Sequence, residues 1–107
     1  MKNYDEAVQD IMDFMVTDYN VWKKENMPSS SYEVHTGRSY DKIVKICGFN
    51  ASKCVVGFIC KKENPKKGFK VGDMLMPAGW NAPATNFSRG NIFEKNATDR
   101  VTWTGIY

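Results

Sequence analysis

The chain has 107 residues, 42% hydrophobic, 13% aromatic and 25% charged, which allows one domain with its own core and excludes two separate cores or wholesale disorder. Its net charge of +3 comes from 15 Lys and Arg against 12 Asp and Glu, and its three cysteines and single histidine form no CxxC or CxxH, so no zinc site is readable. No apolar run approaches bilayer-spanning length, and the early acids of MKNYDEAVQDIMDF exclude a signal peptide's apolar core, so a cytoplasmic protein with no membrane partner is expected.

The N-terminal region predicts a helix over 3–26. Asn3 followed by Glu6 has the form of a capping box, with Asp5 and Glu6 at the positive end of the helix dipole and Lys23 and Lys24 at the negative end. Tyr4, Val8, Ile11, Met15, Tyr19 and Trp22 recur at spacings of three and four and make one apolar stripe, with Asp10, Asp13 and Thr17 opposite. Pro28 and the serines at 29–31 stop the helix.

From Tyr32 the period changes to two. SYEVHTGRSY reads as a strand entering a turn at Gly37, and YDKIVKICG as a second strand, with Lys42, Val44 and Ile46 on one face and Ile43, Lys45 and Cys47 on the other. Residues 48–53 form a polar turn. KCVVGFICKK lacks alternation and is the expected central strand, apolar on both faces, its Gly57 marking a bulge or a close approach of the helix. ENPKKG is a turn, and FKVGDMLMP a shorter strand that bends at Gly72–Asp73. PAGWNAPATNFSRGNIF is an ordered irregular segment pinned by its prolines and aromatics, and VTWTGIY is the edge strand expected to close the sheet.

The resulting fold class is α+β: one amphipathic helix packed on a small, mostly antiparallel, strongly curved sheet of four or five strands, as a single domain over 1–107 with a β-rich body from 32 to 107. Cys47, Cys54 and Cys60 read as buried structural thiols.

Charge is unevenly divided. Residues 1–31 hold six acids and three lysines, a net −3, whereas residues 32–107 hold twelve Lys and Arg and six acids, a net +6. A basic body behind an acidic helix attracts a polyanion on one face and repels it from the other. Lys61, Lys62, Lys66, Lys67 and Lys70 fall on one hairpin, suited either to lying along a phosphate backbone or to keeping a sheet edge soluble. Arg89, between Phe87 and Phe93 and near Trp80 in sequence, suits stacking on a base or gripping an anion, or else pairing with a helix acid. Trp80, Phe87, Trp103 and Tyr107 serve as stacking faces only where exposed, and as core otherwise. His35 is alone, a Cys–His pair with Cys47 has no supporting motif, and the acids, Asp73 among them, sit in turns or beside basic residues.

Gly72-Asp73-Met74-Leu75-Met76-Pro77-Ala78-Gly79-Trp80-Asn81-Ala82-Pro83-Ala84, followed by Arg89-Gly90-Asn91-Ile92-Phe93 and preceded by Gly37-Arg38-x-Tyr40, resembles a signature of short tailed-bacteriophage proteins. The resemblance covers residues 34–93. Met76 stands where such proteins carry a lysine, Gly79 where they carry a serine and Thr85 where they carry a lysine, so one positive charge is missing at each end of the loop. It implies a virus-encoded accessory protein in the cytoplasm of an infected bacterium, in a family without an established activity, that binds nucleic acid or redirects a host protein. The expected role is therefore a non-catalytic binding module with no cofactor and no metal. It contacts nucleic acid through Lys61, Lys62, Lys66, Lys67, Lys70, Trp80 and Arg89, or else inhibits a host protein through residues 77–93. A small hydrolase using Asp73 or His35, and a virion component, are the remaining alternatives.

Overall fold

The computed structural model describes residues 3–25, 30–47 and 52–107. Helix α1 (Tyr4–Trp22) begins as the capping pattern predicts: the Asn3 side chain accepts a 2.8 Å hydrogen bond from the Glu6 amide. Such a cap contributes about 1 kcal/mol. Ala7, Val8, Ile11, Met15 and Tyr19 are buried along one stripe. The helix stops before the expected Asn26, which lies outside the described residues; Lys23 is already extended, although its N–H still bonds the Tyr19 carbonyl. The reason is periodic. After Trp22 the next positions on the stripe, Glu25 and Asn26, are polar, and a helix is held chiefly by the apolar face it packs. Lys23 and Lys24 thus follow the last turn instead of belonging to it.

Strands β1 (Ser30–Thr36), β2 (Tyr40–Cys47), β3 (Ser52–Cys60) and β4 (Met74–Leu75) form an open antiparallel sheet in the order β1-β2-β3-β4. Ile43 faces Gly57 while Val44 faces Val55, so Val56 is the extra residue of a bulge. The bulge expected at Gly57 is therefore present. From Val56 onward β3 is buried on both faces, with Ile59 and Cys60, neighbours of opposite orientation, both fully enclosed. Its inner face, with Ile43, Val56, Ile59 and Met74, carries α1 and the main core. Its outer face holds a smaller cluster of Phe58, Cys60, Phe69 and Leu75, flanked by Tyr40 and Val55.

The irregular segment begins with a small hairpin, β5 (Pro77–Gly79) and β6 (Ala82–Pro83), whose tip is Trp80–Asn81. It then returns along β4: the Met74 amide donates to the Gly90 carbonyl at 2.8 Å, and the Arg89 amide to the Met74 carbonyl at 2.7 Å. Asn91 closes this return by donating to Asp73 Oδ1 at 2.9 Å and to the Val71 carbonyl at 3.0 Å, while Asp73 Oδ2 accepts from the Lys70 amide. Gly72, at φ +91°, permits the bend expected at Gly72–Asp73.

The C-terminal residues correct one expectation. β7 (Val101–Thr102) and β8 (Gly105–Ile106) pair only with each other and lie against the inner face, not at the sheet edge. The edge of β4 is already occupied by residues 89–92, and Val101 and Ile106 find burial on the face instead. Gly57 makes the place for them, because a Cβ there would lie 2.4 Å from Ile106 Cδ1. The close approach expected at Gly57 is thus made by this hairpin and not by the helix. Among the described residues, no helix is long and apolar enough to cross a membrane.

Candidate functional site

Strand alternation puts His35 of β1 opposite Lys42 of β2, and Lys42 opposite Phe58 of β3, all directed to the outer face. The β5–β6 tip reaches over them. Lys42 Nζ donates to Asn81 Oδ1 at 2.9 Å and lies 4.0 Å from the centroid of the Trp80 ring. His35 meets the same ring edge-on at 6.4 Å. Trp80 is 44% exposed, so it has open aromatic surface beyond these contacts.

Between β1, the 37–39 turn and this tip runs a groove of about 300 Å³, lined by His35, Arg38, Tyr40, Lys42, Phe58 and Asn81, among others. Ser39 and Tyr40 separate it from a hollow of about 150 Å³ lined by Lys62, Glu63 and Asn64. Phe58 supports the Tyr40 ring edge-on at 6.3 Å.

The cations differ in what already holds them. Lys53 lies 3.2 Å from Glu33, whose other partner is His35 at 2.6 Å; His35 first and then Lys53 hold the Glu33 carboxyl below its ordinary value. Lys61 donates to the Gly37 carbonyl at 3.0 Å and lies 3.8 Å from the buried Asp41, which also accepts from the Tyr4 hydroxyl at 2.8 Å. Burial, and secondly that bond, raise the Tyr4 phenol above its ordinary value. Lys67 reaches Thr85 Oγ1 at 3.4 Å. Lys42 has only a neutral amide and a ring, and no carboxylate of a described residue pairs with it. No hydrogen bond or ion pair links the side chains of Arg38, Lys62, Lys66 or Lys70 to another described residue.

Of the residues the sequence singled out, Trp80 adjoins the groove through Lys42 and His35 without lining it, and Lys62 lines the adjoining hollow. Lys61 bridges to the neighbouring turn. Lys66, Lys67 and Lys70 lie on the 64–70 turn, where Lys67 touches Thr85 just past the β5–β6 hairpin. Arg89 is elsewhere in its bonding. Its guanidinium stacks on Phe87 at 3.8 Å and donates to the Tyr107 carbonyl at 3.0 Å and to Asn86 Oδ1 at 3.3 Å. It therefore pins the irregular segment to the chain's last residue, and the helix acid expected as its internal partner is not involved. Phe93 does not frame it but packs against Gly72. Among the stacking candidates, Trp103 is half-buried, with Trp22 at 4.4 Å and Lys45 at 4.5 Å on its ring.

The cysteines divide as well. Cys60 is buried as expected, and its thiol is pushed up to about 11 by burial and then by the charge of Asp73. Cys54 is exposed, which corrects the reading of it as a buried thiol: it precedes the point where β3 passes under the core. The Cys47 side chain lies outside the described residues. His35 is engaged with Glu33, and Asp73 with Asn91 and Lys70. Among the described residues, no group of three His, Cys, Asp or Glu is placed to hold a metal ion.

Lys42 was not singled out by sequence reasoning, and Arg38, Tyr40 and Asn81 entered it only as residues of the signature, not as binding residues. The signal that was available is the alternation of β1 and β2, which sets Lys42 across from His35; the arrival of Trp80 and Asn81 is a tertiary event.

A family model matches residues 2–107, and the chain belongs to DUF7717, a family of unknown function. No curated protein and no solved structure matches it.

Proposed function

We propose that the protein is a non-catalytic binding module that holds single-stranded nucleic acid on the outer face of its sheet. The observation that carries this reading is the pairing of the exposed Trp80 with Lys42, a cation lacking a carboxylate partner among the described residues, above a groove that Arg38 also lines. Single-strand binders combine a basic track with aromatic faces on which bases stack, each worth about 1–3 kcal/mol. Lys62, Lys66 and Lys70 extend the positive charge beyond the groove, while the acids of α1 lie on the other side of the sheet, so a strand is drawn to one face. The likeness of residues 34–93 to tailed-bacteriophage proteins supports reading this activity as one carried out in the cytoplasm of an infected bacterium.

The test is titration of labelled single- and double-stranded DNA and RNA with the purified protein across a salt series. Binding in the micromolar range is expected, with log K falling against log salt by about 0.7 per phosphate contacted on a single strand. Trp80→Ala weakens it about 5- to 150-fold, and Lys42→Glu weakens it and flattens the salt slope. No binding at low salt overturns the reading. The second reading, a host-protein inhibitor acting through residues 77–93, is favoured by Trp80 standing at a hairpin tip with Phe87 and Phe93 also exposed. Capture of one defined bacterial protein, abolished by Trp80→Ala, supports it.

A further inference from the structure

The groove beside Trp80 has properties that a continuous single-strand track does not need. Its volume, about 300 Å³, is at the small end of ligand pockets, which run from about 300 to 1,000 Å³. It is bounded on one side by the 37–39 turn and on another by Ser39 and Tyr40, the residues it shares with the adjoining hollow. The turn is tight: the Gly37 amide donates to the Tyr40 carbonyl at 3.0 Å, and the Lys61 amide donates to the Ser39 carbonyl at 3.0 Å. The Tyr40 ring is backed by Phe58. A strand crossing into the next hollow would have to pass this wall and then meet Glu63 beside Lys62.

Charge points the same way. Two permanent cations, Arg38 and Lys42, line the groove, and neither is paired with a carboxylate of a described residue. The nearby acid Glu33 is itself engaged by Lys53 and His35, so it offsets little of that charge. An internal phosphodiester brings one negative charge, whereas a phosphomonoester brings about −1.5 to −2 near pH 7. Two cations without a carboxylate partner among the described residues match the second.

Resting on the nucleic-acid reading, we propose that this groove is a subsite for one nucleotide bearing a phosphomonoester. Its phosphate lies in the groove between Arg38 and Lys42, and its base reaches out to stack on the open surface of Trp80, which borders the groove through Lys42 and His35. The group comes from either of two sources, a phosphorylated strand end or a free mononucleotide. Lys62, Lys66 and Lys70 lie outside the groove and serve whatever chain leads away from it.

The experiment uses calorimetric titration of the full chain with octathymidylate carrying a 5′-phosphate, a 3′-phosphate or hydroxyls at both ends, and with thymidine monophosphate and thymidine. One phosphorylated end is expected to bind at least about tenfold more tightly than the hydroxyl-ended strand, and the monophosphate more tightly than the nucleoside. Arg38→Ala reduces that preference to about twofold or less, and it is safe for folding because Arg38 is exposed in a turn without a side-chain bond to a described residue. Equal binding of all three strands overturns the subsite while leaving the strand-binding reading intact. Binding of the monophosphate with no binding of any strand supports the subsite and overturns the strand reading. No binding of either overturns both.

Discussion

The two faces of the sheet are built from the same four strands and differ sharply in what they carry. On the inner face, Ile43, Val56, Ile59 and Met74 meet a helix and a hairpin, and Met15, Ile59 and Ile106 are wholly enclosed. On the outer face the apolar cluster is small, and the space beside it is occupied by Lys42, His35 and Trp80 in contact with one another and with solvent. Each fully buried Ile or Met contributes about 1.5–3 kcal/mol, so most of the stabilisation comes from the inner face. The outer face keeps charges without matched partners, which a structure tolerates only where packing elsewhere holds the fold. The difference separates the part that makes the domain stable from the part proposed to bind.

If the faces are separable, substitutions on the inner one change stability and leave the groove alone. The largest effect is expected from Ile106→Ala, which empties a fully buried site and costs about 2–5 kcal/mol in urea denaturation. Below its lowered melting temperature the variant should bind nucleotide like the parent; a matching loss of affinity in the folded variant would show that the faces are coupled. Next comes Gly57→Ala, whose new Cβ runs into Ile106 and costs about 1–3 kcal/mol. Shortening Ile106 to Ala in the same chain recovers part of that cost, and a double-mutant cycle with zero coupling would disprove the contact.

Cys60 tests the seal between the faces. With its thiol pushed up to about 11, the neutral form is favoured in the fold, so its contribution is full below the ordinary value of about 9 and is lost as pH rises through 11. Denaturant midpoints should fall between about pH 9 and 11, with a shallower fall in Cys60→Ala. Peptide mapping after brief alkylation should find Cys54 labelled well before Cys60. The smallest effect belongs to Glu33. Its folded value is lowered, so its contribution is present above about 4.5 and lost as pH falls through the lower folded value; Glu33→Gln removes that acid limb. The same change frees Lys53 and His35, and should tighten anion binding by a few-fold at most. Weaker binding in Glu33→Gln would mean that Glu33 orients His35 instead of offsetting charge.

The helix was readable because its instructions are local. Asn3 caps the Glu6 amide three residues on, and the stripe from Tyr4 to Tyr19 repeats at the helical period. The central strand was readable because CVVGFIC has no polar residue to place on either face, and the bulge because Gly57 interrupts it. The terminal VTWTGIY misled because alternation names a strand but not its partner. Val101 and Ile106 bury equally well at an edge or on a face, and the slot left by Gly57 together with the occupied β4 edge selected the face. The lysine run Lys61–Lys70 drew attention by density, yet density does not reveal that Lys61 leans on Asp41 and Lys67 on Thr85. Arg89 and Phe87 were legible as neighbours, but their stacking on each other and their tie to Tyr107 were not.

The sequence by itself determined the elements whose causes lie within a few residues: the capped helix, the alternating strands, the doubly apolar β3 and the bend at Gly72–Asp73. Only the tertiary structure decided which cations remain available and which aromatics stay open. That choice depends on side chains far apart in the chain, such as Lys42 and Asn81, or Arg89 and Tyr107. A charge is neutralised by whatever the fold carries to within about 4 Å of it, and no periodicity in the sequence encodes that distance.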